Sequence, residues 1–151
     1  MKKIVYCIFI ILAASCTTID VYEKSKSFPA QTWSSLDTPN FKFDIIDSNS
    51  YYNIYLVLRH QEKYAYKNVW LSLSVKSPND TSIFKREFTL ADNSKWLGTT
   101  IDDITDHRLI FNPQPIKLKR GTYAFTIKQI MREDPLPNII SAGIRVQKVG
   151  Q

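Results

Sequence analysis

The sequence predicts an all-β protein: a single antiparallel β-sandwich of roughly eight strands behind a cleaved lipoprotein signal peptide. Three observations point there. Apolar residues alternate with polar ones at period two in segment after segment, and clusters of turn residues separate these segments. The chain is 13% aromatic, with eight Tyr, eight Phe and three Trp, a composition that suits pleated surfaces. No long amphipathic helical stripe is present; a helical turn competes with the strand reading only around Thr126–Arg132, where Gln129-Ile130-Met131-Arg132 has one β-branched residue.

The first segment is an address. Met1-Lys2-Lys3 precedes an apolar run from Ile4 to Ala14, the pattern of a secretory signal and too short to span a bilayer, which needs about 20 residues. Ala13-Ala14-Ser15 place small side chains directly before Cys16, a lipobox-like cleavage site with Leu12 one place early. Cys7 leaves with the signal, so the processed chain keeps one cysteine, Cys16, committed to an acyl anchor of the palmitate kind. Residues 1–15 are therefore read as signal peptide, 16–27 as lipidated N-terminus and tether, and 28–151 as the sandwich. Thr17-Thr18-Ile19-Asp20 carries no acidic run, which favours the periplasmic face of the outer membrane.

The strands follow in order. Ile19-Asp20-Val21-Tyr22 alternates and reads as a short strand or as tether. Phe28-Pro29 and Trp33 sit in an irregular stretch that packs an aromatic. Phe41, Phe43 and Ile45 form a strand that ends at Asp47-Ser48-Asn49-Ser50. In Tyr51–His60, the residues Tyr52, Ile54, Leu56 and Leu58 share the core parity. Val69, Leu71, Leu73 and Val75 repeat that pattern with Trp70 on the other face, and Phe84, Phe88 and Leu90 continue it after Pro78-Asn79-Asp80. Ala91–Asp106 reads as loop. Short strands are expected at Leu109-Phe111 and Ile116-Leu118, a strand at Tyr123–Ile127 after Arg120-Gly121, and a last one at Ile140–Val146.

Chemistry is sparse. The 44% apolar fraction excludes a disordered chain, and two cysteines exclude a disulfide scaffold. No nucleophile elbow, phosphate loop or Cys/His pair occurs. Asp102, Asp103, Asp106 and His107 are the densest run of metal-ligating types, yet their spacing matches no calcium loop and reads as a solvated acidic loop. His60 is expected to face solvent at a strand end. The net charge of +6 falls to +4 once Lys2 and Lys3 are removed, and the cations are scattered, so nucleic acid is not an expected partner. Neither a catalytic residue, a metal nor a cofactor is expected; fourteen acidic residues leave room for a carboxylate pair, but nothing selects one. The outward aromatics Tyr51, Tyr55 and Trp70, with the Asp92–Gly98 loop that holds Asp92 and Trp96, are the candidate contact face.

The chain resembles the GldH family of gliding-motility lipoproteins of Bacteroidota. The resemblance begins at Ser15-Cys16 and runs through Val21-Tyr22, Phe28-Pro29 and Trp33. It continues through Phe41-Lys42-Phe43, Tyr52-Asn53-Ile54-Tyr55, Leu58-Arg59 and Asn68-Val69-Trp70-Leu71. Its most specific pieces are Leu90-Ala91-Asp92 with Lys95-Trp96-Leu97-Gly98, Gln129-Ile130-Met131-Arg132 with Leu136-Pro137, and Gly143-Ile144-Arg145-Val146. The chain departs from the family pattern at Thr99–Ile104, where the pattern is glycine-rich, and at Asn138, where it has glycine. The resemblance implies a lipid-anchored envelope protein of the gliding and type IX secretion machinery with no enzymatic activity. Its expected partners are membrane lipid, through acylated Cys16, and envelope proteins of that apparatus. A glycan-binding lipoprotein for peptidoglycan or polysaccharide is the alternative, with aromatics stacking on sugar rings. A hydrolase built on scattered carboxylates is a third reading.

Overall fold

The computed structural model describes residues 21–149; the signal peptide and Cys16 lie outside the described residues. The described residues contain fourteen strands: β1 (Val21–Ser27), β2 (Thr32–Trp33), β3 (Asn40–Ile45), β4 (Tyr51–Gln61), β5 (Asn68–Lys76), β6 (Thr81–Thr89), β7 (Ala91–Asp92), β8 (Lys95–Trp96), β9 (Thr99–Ile101), β10 (Ile104–Ile110), β11 (Ile116–Lys117), β12 (Gly121–Gln129), β13 (Leu136–Pro137) and β14 (Ile139–Val149). One sheet runs β1-β14-β4-β10-β9, with β11 also on β4; the other runs β3-β12-β5-β6. Every pairing is antiparallel, and two small ribbons, β13-β2 and β7-β8, complete the fold.

The two main sheets face each other across one apolar core, as the alternation requires. Tyr52, Ile54, Leu56 and Leu58 of β4 are buried, as are Val69, Leu71 and Leu73 of β5 and Tyr123, Phe125 and Ile127 of β12. Phe43 lies 5.6 Å from both Tyr123 and Phe125, an aromatic layer between the sheets. A side chain of this kind contributes about 1.5–3 kcal/mol when fully buried. Trp33 is fully buried, stacked at 5.2 Å on Phe28, and its Nε1–H donates to the Asp37 carbonyl at 2.7 Å. The irregular stretch therefore packs its aromatic, held by the two-residue pairing of β2 with β13.

Three expectations change. The described part of the segment read as tether is the edge strand β1, paired residue for residue along β14 from Val21↔Gln147 to Ser27↔Ser141. Its inward Tyr22 ring reaches Phe43 at 5.2 Å, a cross-sheet contact that local patterning does not reveal. The stretch read as loop, Ala91–Asp106, holds β7, β8, β9 and the start of β10. These strands are short, and Asn93 and Asp102 open tight turns with left-handed φ of 52° and 55°. Asn and Asp tolerate that region better than most residues do. Asn138, with φ 62°, takes the same left-handed conformation between β13 and β14. Finally, β12 continues to Gln129 instead of yielding to a helical turn. The buried Gln129 side chain accepts from Met131 N–H at 2.8 Å and donates to Asp134 at 3.0 Å, so it satisfies the chain where the strand stops.

Candidate functional site

The strand parities decide where each candidate points. On β4, the residues opposite in parity to Ile54 and Leu56 face outward, which places Tyr51 and Tyr55 on the outer face of the six-stranded sheet. Trp70 lies opposite in parity to Val69 and Leu71, on the outer face of the four-stranded sheet. Tyr51 and Trp70 are 40% and 41% exposed, but they stand on opposite sides of the sandwich. The single contact face expected from the sequence is therefore two faces. Asp92 is exposed at the β7–β8 turn. Trp96 turns inward instead, 4.4 Å from the His60 ring and 6.4 Å from Tyr64.

Beneath Trp96 lies a group the sequence reading placed in solvent. His60 and His107 are 0% and 1% exposed, and their Nε2 atoms are 3.0 Å apart. His60 continues the parity of Tyr52 to Leu58, and His107 the parity of Leu109, so the alternation itself carried the signal. Polarity and the neighbouring Gln61-Glu62-Lys63 masked it. The His60 Nδ1 lies 2.7 Å from the Gln61 carbonyl, which can only accept. His60 therefore carries its proton on Nδ1, its Nε2 accepts, and His107 donates through Nε2–H. Burial pushes His60 below its ordinary value, partly opposed by its bond to Gln61 and by Asp106. Burial, then the neighbouring His60, pushes His107 down to about 4, with Asp106 opposing. Both rings are neutral at pH 7.

His107 also borders a groove of about 470 Å³ on the outer face of the six-stranded sheet. Val57, Ser25 and Ser141 line it, and Leu97, Gly98 and Thr99 form a rim. Gly98 lies flat on β10: a Cβ there would stand 2.3 Å from the Asp106 carbonyl and 2.9 Å from His107 Nδ1. Two ion-pair systems cross the groove. Arg59 grips Asp106 in a bidentate pair at 2.6 and 3.0 Å. Arg145 pairs with Glu23 at 2.6 Å, and Arg108 approaches the same carboxylate at 3.9 Å. The face thus offers guanidinium groups, carboxylates and hydroxyls, with the charges already engaged to one another. Of the run read as a solvated acidic loop, Asp102 and Asp103 are exposed in a turn, while Asp106 and His107 are strand residues. Among the described residues no three His, Cys, Asp or Glu side chains come together as metal ligands.

Fold and site together define a class: an antiparallel β-sandwich domain with a polar groove on one outer face and exposed aromatics on both. The family model described as GldH lipoprotein matches residues 20–146, and the chain belongs to that family, one of gliding-motility lipoproteins and not of enzymes. The chain is 28% identical over 148 residues to the gliding motility lipoprotein GldH homolog of Christiangramia forsetii, covering 92% of this chain and 90% of that protein. It is 26% identical over 147 residues to the gliding motility lipoprotein GldH of Flavobacterium johnsoniae, covering 91% of each. Among solved structures, the infectious bursal disease virus VP2 subviral particle aligns with a TM-score of 0.34 and 16% identity. That match covers 86% of this chain and 30% of the viral one.

Proposed function

We propose that this chain is a non-enzymatic accessory lipoprotein of the gliding-motility and type IX secretion machinery, held by acylated Cys16 at the periplasmic face of the outer membrane. It works by touching envelope proteins. The observation that carries the reading is the opposition of Tyr51 and Trp70: two exposed aromatics on opposite outer faces of one rigid sandwich let it contact two neighbours at once. Exposed Tyr and Trp rings anchor interfaces because they bury much area with few rotatable bonds. Confinement to a membrane raises the effective concentration of membrane partners, so modest contacts suffice.

The experiment is site-specific photocrosslinking from position 51 and from position 70 in whole envelopes, with the adducts identified by mass spectrometry. Motility or secretion components are expected from both positions, and different ones from each. Adducts with none of them would overturn the reading.

A glycan-binding role is the second reading, favoured by the exposed Trp70 ring and by the hydroxyl-rich groove of Ser25, Thr99 and Ser141. Retention on insoluble wall polymer that is lost in Trp70→Ala would move the function there.

A further inference from the structure

We infer that the end of the sandwich where β1 begins is a docking face for an anionic lipid surface. The inference rests on the anchor at Cys16 proposed above. Only five residue steps separate Cys16 from Val21, a reach of at most about 17 Å. Val21 pairs with Gln147, and Gln147 with Asn53, so the chain enters at the end that also holds the start of β4 and the finish of β14. β4 has 11 residues, about 36 Å of strand. One end of the domain is therefore held near the bilayer while the other stands far beyond the tether's reach.

That near end is knitted together from both sheets. Lys148 pairs with Asp47 at 2.7 Å, Lys117 lies 5.3 Å over the Tyr51 ring, and a Cβ on Gly121 would meet Pro78 at 2.6 Å. It is basic: Lys76, Lys117, Lys119 and Arg120 are exposed, and no carboxylate of the described residues lies within 4 Å of any of them. Of the acids of this end, Asp47 is paired with Lys148 at 2.7 Å, while Asp44 and Asp80 accept only from neutral donors, the Thr122 hydroxyl at 2.6 Å and the Thr81 N–H at 2.7 Å, and so offset two of these four cations, leaving a positive excess. The far end is mixed in charge: Glu62, Asp102 and Asp103 are exposed where Glu62 N–H meets the Asp103 carbonyl, with Lys63 and Lys67 exposed in the same β4–β5 connection.

The near end is also apolar where it is not charged. Ile46 is 74% exposed and Ile116 37%. An apolar cleft of about 160 Å³, lined by Phe84, Leu118, Tyr123 and Phe125, opens beside Ile116 between β6 and β11. Cations around exposed aliphatic groups match the headgroup layer, where phosphates meet the first methylenes. Each basic residue near an anionic surface raises partitioning about fivefold, and the attraction fades within a Debye length, so only this end gains from it.

The test separates docking from anchoring. Mass spectrometry of the envelope protein reads acylation of Cys16. Co-sedimentation of the unacylated Cys16→Ser chain, residues 16–151, with vesicles reads docking. Binding is expected to phosphatidylcholine vesicles containing phosphatidylglycerol and not to phosphatidylcholine alone, with loss in high salt. Lys117→Glu/Lys119→Glu/Arg120→Glu should lower partitioning on the order of 100-fold with an unchanged melting temperature. Lys119→Glu/Arg120→Glu, confined to an exposed turn, is the second variant and should lower it on the order of 25-fold. For the lipidated chain in nanodiscs, lipid spin labels should broaden amides of residues 77–80 and 118–120 and spare 102–103. Absence of binding to anionic vesicles, binding indifferent to the charge reversals, or broadening along the β1 edge alone would each overturn the inference.

Discussion

His60 and His107 face each other through Nε2 atoms 3.0 Å apart, buried between β4 and β10 under the Trp96 ring. One proton sits between the two rings, and a second cannot be added without placing a charge where water is excluded. A histidine whose folded pKa is depressed contributes stability that is present above its unfolded value of about 6.5 and is lost as pH falls. With His107 at about 4, the loss runs from about pH 6.5 down to about pH 4 and reaches roughly 3 kcal/mol. Denaturant melts at a series of pH values should show that slope, and His107→Gln, which keeps a donor but does not titrate, should flatten much of it.

Asn112 joins the gap between β10 and β11 to β4. Its Oδ1 accepts from Ile54 N–H at 2.7 Å, and its Nδ2 donates to the Tyr52 carbonyl at 3.2 Å and to the Gln114 carbonyl at 2.6 Å. Asn112→Ala leaves these buried groups unpaired and should cost about 2 kcal/mol by chemical denaturation. Asn112→Asp keeps the acceptor but faces two carbonyls with a carboxylate, and should cost more.

Gly143 has no room for a side chain. A Cβ there would stand 2.3 Å from the Lys24 carbonyl and 2.5 Å from the Ser25 Cβ. Gly143→Ala should push β1 off β14, lowering stability by about 1–3 kcal/mol. Hydrogen exchange should accelerate across Val21–Ser27 before it does in the β4–β14 centre. Uniform acceleration through the sheet would show that β1 is not separable.

Trp33 combines a full ring's burial with one hydrogen bond to the Asp37 carbonyl. Trp33→Ala should cost about 3–5 kcal/mol and Trp33→Phe much less, since the stack on Phe28 survives. Thermal unfolding of the two variants measures the difference.

By itself the sequence determined most of the longer strands of the body and which side of β5, β12 and the first part of β4 faces inward; it did not find β7, β8 and β9, and β6, read on the same alternation, leaves Phe84 36% exposed. Side chains alternate across a strand, so Tyr52 to Leu58, Val69 to Leu73 and Tyr123 to Ile127 could be assigned to a core without knowing what lay opposite. Only the tertiary structure decided which strands share a sheet. That choice sets Tyr51 and Trp70 back to back, turns residues 21–27 from tether into edge strand, and brings His60 to His107 from 47 positions away. Pairing depends on register between distant segments, and no local pattern of polarity records it. The same alternation that hid two histidines among polar neighbours had already placed them on the buried side; what it lacked was the partner ring that makes such burial tolerable.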